Sequence, residues 1–204
     1  MKRLFVLLVL GLAGLSVRAE TPAILVFGDS ISAGYGLAHV EQGWVEMLRA
    51  KLKDEGYGYQ VVNASVSGET TAGGLARLPR ALTLHQPKIV ILELGGNDGL
   101  RALPIAQMRA NLVRMIDLST AAGAKVLLLG MLMPPNYGPD YTRQFASSYS
   151  EIARDKKVPL VPFLMNDIAL SPNLMQADGF HPNELAQPQL LANVWPTLQP
   201  LLRR

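Results

Sequence analysis

Four short segments of this 204-residue chain carry side chains suited to bond-breaking chemistry. Gly28-Asp29-Ser30-Ile31-Ser32 presents a small hydroxyl, and Asp178-Gly179-Phe180-His181-Pro182 places a carboxylate three residues before an imidazole. Together these are the parts of a nucleophilic relay. A carboxylate that binds imidazole Nδ1–H fixes the tautomer that leaves Nε2 free to take a proton from the hydroxyl. One turn of chain brings Asp178 and His181 to the same place. The other two segments, Asn63-Ala64-Ser65-Val66-Ser67-Gly68-Glu69 and Gly95-Gly96-Asn97-Asp98-Gly99, offer a glycine N–H and an amide that can point at an oxyanion. Each segment also has a plainer reading. Ser30 would cap a helix, Asn97 would sit left-handed in a glycine-rich turn, and His39 and His85 read as exposed or structural.

What must position these residues is a sheet. Apolar runs at 23–27, 60–62, 89–94, 126–129 and 158–161 alternate with longer amphipathic stretches, the β-α-β-α rhythm of a parallel sheet covered by helices. Ile89-Val90-Ile91-Leu92 is apolar without alternation, as a central strand buried on both faces requires. The expected architecture is α/β, a three-layer α/β/α sandwich around a mostly parallel five-stranded sheet of flavodoxin-like type. Trp44, Leu48 and Leu52, then Leu75, Leu78 and Leu82, then Leu112, Met115 and Ile116 lie at helical spacing and should face the core. Pro104 fits the first turn of one helix and Pro182 that of the last. Met133 to Tyr141, with three prolines and Gly138, reads as a long surface loop. Open parallel sheets bind ligands at the carboxyl ends of their strands. The four polar segments fall at one such edge.

The chain begins with Lys2 and Arg3, runs through apolar residues from Leu4 to Leu15, and reaches Ser-Val-Arg-Ala before Glu20. This order is that of a secretory signal peptide, with Val17 and Ala19 supplying the small-residue cleavage pattern. The apolar run is too short to cross a bilayer as a helix. The expectation is therefore a signal over residues 1–19, a single domain over 20–204, no stable membrane anchor, and a periplasmic or secreted protein. The 19 Lys and Arg exceed the 16 Asp and Glu, but Lys2, Arg3 and Arg18 lie in the signal. The remainder is neutral and has no basic stripe, so no nucleic-acid partner is expected. The chain has no cysteine, which excludes thiol nucleophiles, thiolate metal sites and an acylated N-terminal Cys.

With the blocks in the order Ser, Gly, Asn, then Asp and His, the chain resembles the SGNH hydrolases, also called GDSL-like lipases and esterases. The resemblance extends through Gly-Asp-Ser-Ile-Ser-Ala-Gly-Tyr, Val-Val-Asn-Ala-Ser, Ala-Arg-Leu-Pro, Glu-Leu-Gly-Gly-Asn-Asp-Gly-Leu-Arg and Asp-Gly-Phe-His-Pro-Asn. These segments are similar to the bacterial periplasmic thioesterase I subgroup, also described as lysophospholipases and arylesterases. The resemblance implies Ser30 as nucleophile, His181 as base and Asp178 as its orienter. It makes the Ser30 and Gly68 N–H groups and the Asn97 amide the oxyanion donors. Gly96, Asp98, Met133 and Pro134 are expected at the substrate, in loops 95–101 and 133–141, with Met131 and Leu132 nearby. The implied substrates are small acyl esters and thioesters, aryl esters and lysophospholipids, hydrolysed by a monomer without metal or cofactor. Three other readings stay open: a carbohydrate O-acetyl esterase of the same fold, a binding protein without turnover, and peptide cleavage by the same triad, with activated amino-acid esters expected to react far better than peptides. The segments of an α/β-hydrolase elbow, a phosphate-binding loop and a dinucleotide fingerprint are absent beyond the signal.

Overall fold

The computed structural model describes residues 21–203, so the signal-peptide expectation lies outside the described residues. Five strands form one parallel sheet: β1 (Ala23–Gly28), β2 (Gln60–Asn63), β3 (Ile89–Glu93), β4 (Lys125–Leu129) and β5 (Leu160–Val161). Their order across the sheet is β2-β1-β3-β4-β5. β1 and β3 are buried along their whole length, and their registered pairs, such as Leu25 with Val90 and Val26 with Ile91, form the centre of the core. Unbroken runs of aliphatic residues suit this position because parallel strands covered on both faces have no polar side.

Seven helices are described: α1 (Ser30–Ala33), α2 (Trp44–Asp54), α3 (Thr71–His85), α4 (Gly96–Leu100), α5 (Ile105–Ala121), α6 (Pro139–Lys156) and α7 (Gln187–Leu198). α2 packs against α7, while α3 packs on α5 and α5 on α6, which gives the two outer layers. The expected stripes face inward: Trp44, Leu48 and Leu52 from α2, Leu78 and Leu82 from α3, and Leu112, Met115 and Ile116 from α5 are buried. Leu75 is only partly buried. Gly74 takes its place at the sheet, where any Cβ would run into the Leu94 side chain, so α3 comes closer there than a side chain would allow.

Several sequence-based expectations are corrected. The 133–141 segment is not one loop: a 3-10 turn covers Pro135–Tyr137 and α6 starts at Pro139, since proline suits a helix first turn. Residues 96–100, expected in a loop, close into α4 after Gly95 turns the chain at φ 114°. Pro182 does not open the last helix. It bridges to Met175, and Pro188 occupies the first turn of α7. Pro104 caps α5 from just outside the helix. Among the described residues no helix is long and apolar enough to cross a membrane.

Candidate active site

The sheet order reverses direction between β1 and β3, and the crevice beyond the carboxyl ends of strands at such a reversal is where open α/β sheets hold ligands. The chain leaving β1 carries Ser30, the chain leaving β3 carries Asn97, and the chain leaving β2 carries Gly68. The topology thus brings three of the four polar segments to one edge before any side chain is considered.

Ser30 is the first residue of α1 and 8% exposed. It is not the helix cap. Asp29 caps α1 by accepting the Ile31 N–H at 3.1 Å, which leaves the Ser30 hydroxyl free for other work. His181 Nε2 lies 2.9 Å from Ser30 Oγ, and His181 Nδ1 lies 2.7 Å from Asp178 Oδ2. An ionised carboxylate only accepts, so Nδ1 carries the hydrogen and Nε2 receives the Ser30 O–H. The other oxygen of Asp178 accepts the N–H groups of Phe180 and His181 at 2.9 and 3.0 Å, a turn in which Gly179 takes φ 69°. Partial desolvation pushes Asp178 up, but the His181 ring and these two N–H groups outweigh it and hold the carboxyl at about 2. A hydroxyl, an imidazole and an ionised carboxylate so linked can activate an oxygen nucleophile.

Asn97 stands in α4, and its Nδ2 donates to Asp29 Oδ2 at 3.0 Å. The bond identifies the nitrogen end of the amide and leaves its second N–H available. Gly68 is exposed, at φ 77°, and its carbonyl accepts from Arg101 Nη2 at 3.0 Å. Arg101 follows α4, so the Gly68 turn is tied to the helix that carries Asn97. Gly96 lies against Asp29, where an added Cβ would come within 3.3 Å of Oδ2.

Asp98 was expected at the substrate, but its carboxylate faces inward. It is 3% exposed, and its two oxygens accept the Thr71 N–H at 2.8 Å and the Thr71 hydroxyl at 2.6 Å. Its side chain therefore secures the start of α3, because an anion is favoured there by the unpaired N–H groups of a helix N-terminus. Met133 is likewise buried, its sulfur packed on Gly99. Pro134 is half-buried ahead of the 3-10 turn, Met131 is buried, and Leu132 is exposed.

Three contributors escaped the sequence reading. Asp29 links the Ser30 turn to Asn97, and burial pushes its carboxyl from 3.8 up to about 6 against the pull of the Ile31 N–H, His181 and Asn97. Gln176 Nε2 donates to Tyr35 O at 2.8 Å and Pro182 O at 3.0 Å, fastening the His181 loop to the chain after α1. The Tyr35 ring lies 4.6 Å from that of His181 and is 53% exposed, and Phe180, which precedes His181 in the chain, is 49% exposed. No local sequence signal marks the link from Gln176 to Tyr35, which spans 141 residues.

Residues 26–187 match the model of the GDSL-like lipase/acylhydrolase family. The chain belongs to this family. Among its members, the esterase TesA of Pseudomonas aeruginosa is 53% identical over 193 residues, covering 95% of this chain and 96% of that protein. The thioesterase 1/protease 1/lysophospholipase L1 of Escherichia coli K12 is 42% identical over 184 residues, covering 90% and 86% respectively. A crystal structure of TesA superposes with a TM-score of 0.86 at 54% identity, covering 88% of this chain and 99% of that one. The GDSL-like family assignment makes this chain an ester hydrolase with the SGNH hydrolase fold.

Proposed function

We propose that this chain is an exported serine esterase and thioesterase in which Ser30, His181 and Asp178 form the catalytic triad. The observation that carries the reading is the hydrogen-bonded sequence Ser30 Oγ to His181 Nε2 at 2.9 Å and His181 Nδ1 to Asp178 Oδ2 at 2.7 Å. Ser30 Oγ attacks the acyl carbonyl carbon while its proton passes to His181 Nε2. The carbonyl oxygen becomes an oxyanion, held by the Ser30 and Gly68 N–H groups and the free Asn97 amide hydrogen. His181 then returns the proton to the departing alcohol or thiol, leaving an acyl-Ser30 ester. Water deprotonated by His181 hydrolyses this ester and restores the hydroxyl.

Gly96 and Pro134 are kept in the proposal as substrate contacts, while Asp98 and Met133 support the site from behind. The exposed Tyr35 ring, 4.6 Å from that of His181, and the exposed Phe180, next to His181 in the chain, offer apolar surface to an acyl or aryl group. Supported substrates are acyl thioesters, simple and aryl esters, and lysophospholipids. The name of the Escherichia coli relative carries thioesterase and lysophospholipase activity. Residues 1–19 serve as the export signal of one catalytic domain that acts as a monomer.

The test is hydrolysis of p-nitrophenyl esters from acetate to palmitate by the chain without residues 1–19, beside Ser30→Ala with folding checked by circular dichroism. The reading expects turnover that favours medium or long chains and vanishes in the folded variant. Turnover that survives Ser30→Ala overturns the triad. A strict acetate preference overturns the lipid-type substrate range in favour of carbohydrate O-acetyl groups.

A further inference from the structure

Glu93 ends β3 with no exposed surface, in a strand whose other four residues are aliphatic. Among the described residues no cation pairs with it, and the charge that acts on it is that of another carboxylate, Asp29. A bare anion in such a place is strongly disfavoured, which favours the neutral form of the acid. Burial, and then the charge of Asp29, push it well above the usual carboxylate range.

Its two oxygens are used unequally. Oε2 accepts the Asp29 N–H at 3.1 Å and the Ser32 hydroxyl at 2.8 Å, while Oε1 is buried without a partner. Oε2 thus meets two donors and need only accept, a role that a neutral acid can fill. Those donors lie on either side of Ser30 in the chain. The fit is close, since a Cβ on Gly28 would strike Oε2, so glycine there is what lets the acid reach the turn. Tyr149 from α6 faces the same region, its hydroxyl donating to Leu94 O at 3.0 Å.

We propose that Glu93 is a positioning residue, a neutral acceptor that grips the turn before and after Ser30 and so fixes the nucleophile against His181. The proposal rests on Ser30 being the nucleophile. Glu93 does not touch Ser30 Oγ or the acyl group, so its loss should slow the chemical step and leave ground-state binding alone.

The experiment compares Glu93→Gln, Glu93→Met and Ser32→Ala with the wild type and Ser30→Ala on a p-nitrophenyl ester, with thermal melting of each variant. Glu93→Gln keeps a neutral acceptor and is expected to hold kcat within about threefold, because the geometry is retained. Glu93→Met keeps length without the acceptor and is expected to lower kcat by roughly 30- to 100-fold at nearly unchanged KM. Ser32→Ala removes one of the two contacts and is expected to lower kcat by about fivefold, a test that stands even where Glu93→Met fails to fold. A folded Glu93→Met with near-wild-type kcat, or an unaffected Ser32→Ala, overturns the proposal. Glu93→Gln as impaired as Glu93→Met overturns the neutral-acceptor role. Turnover surviving in Ser30→Ala would instead mean that the nucleophile assignment has failed, whatever the Glu93 variants do.

Discussion

At the scale of single residues, the site separates two carboxylates by environment. Asp178, held at about 2, stays ionised through any working pH, and what stability it lends is present above the ordinary carboxylate range and lost as pH falls through 2. Asp29 is the reverse case. Its folded value of about 6 lies above its ordinary 3.8, so its contribution is fully present below 3.8 and lost as pH rises through 6. Ionising it in the fold costs on the order of 3 kcal/mol at neutral pH, since each pKa unit is about 1.4 kcal/mol. Asp29→Asn should therefore flatten the fall in melting temperature between pH 4 and 7. Parallel melting curves for variant and wild type would contradict this. Asn97→Ala should keep the fold while lowering kcat by about a hundredfold or more, the usual effect of losing one oxyanion donor, and unchanged turnover would remove Asn97 from the mechanism. The side chains that meet in the Ser30, His181 and Asp178 relay were legible because their types are few and their chemistry specific. Asp98 misled because a carboxylate in a glycine-rich segment looks the same whether it faces solvent or, as here, the buried N-terminus of α3.

At the scale of elements, strands were read well and their surroundings less so. β1 and β3 announced themselves by unbroken aliphatic runs. α4 did not, because it is five residues long and contains two glycines, so local propensity opposes the helix that Gly95 and tertiary contacts impose. The last helix was misplaced because two prolines, Pro182 and Pro188, compete for its first turn, and only the bridge from Pro182 to Met175 separates them. Gln176 shows the limit most plainly: a single glutamine joins the His181 loop to Tyr35 across 141 residues of sequence. Gln176→Ala is expected to lower kcat by about tenfold, since a small displacement of a catalytic group has a large effect on rate. A crystal structure or an unchanged kcat showing His181 undisturbed would contradict that expectation. Gly130→Ala tests the β4 end, where an added Cβ would strike the Pro162 carbonyl, which is backbone and cannot swing aside. A loss of about 1–3 kcal/mol on urea unfolding is expected from such overpacking.

At the scale of the whole molecule, the strand order puts the chemistry where it is. With β1 and β3 adjacent and β2 beyond β1, the chains leaving three strands open onto one crevice, and the His181 loop returns to it after β5. That order cannot be read from a one-dimensional pattern, which shows five apolar runs without saying which neighbour each takes. The layers and the parallel sheet followed from the alternation of short and long segments; the edge that holds the site followed from the polar blocks. Rigidity comes from the central strands. Leu25→Ala, in a position with no exposed surface, should cost about 2–5 kcal/mol on urea unfolding while leaving Ser30 chemistry intact below the midpoint. The central claim is that Ser30 is the nucleophile. The most direct measurement is covalent labelling of the folded protein with an alkyl fluorophosphonate, followed by peptide mass spectrometry. One phosphonyl group per chain on the peptide carrying Ser30, formed in step with loss of esterase activity and absent in Ser30→Ala, is the predicted result; labelling on another residue with the same loss of activity would contradict it.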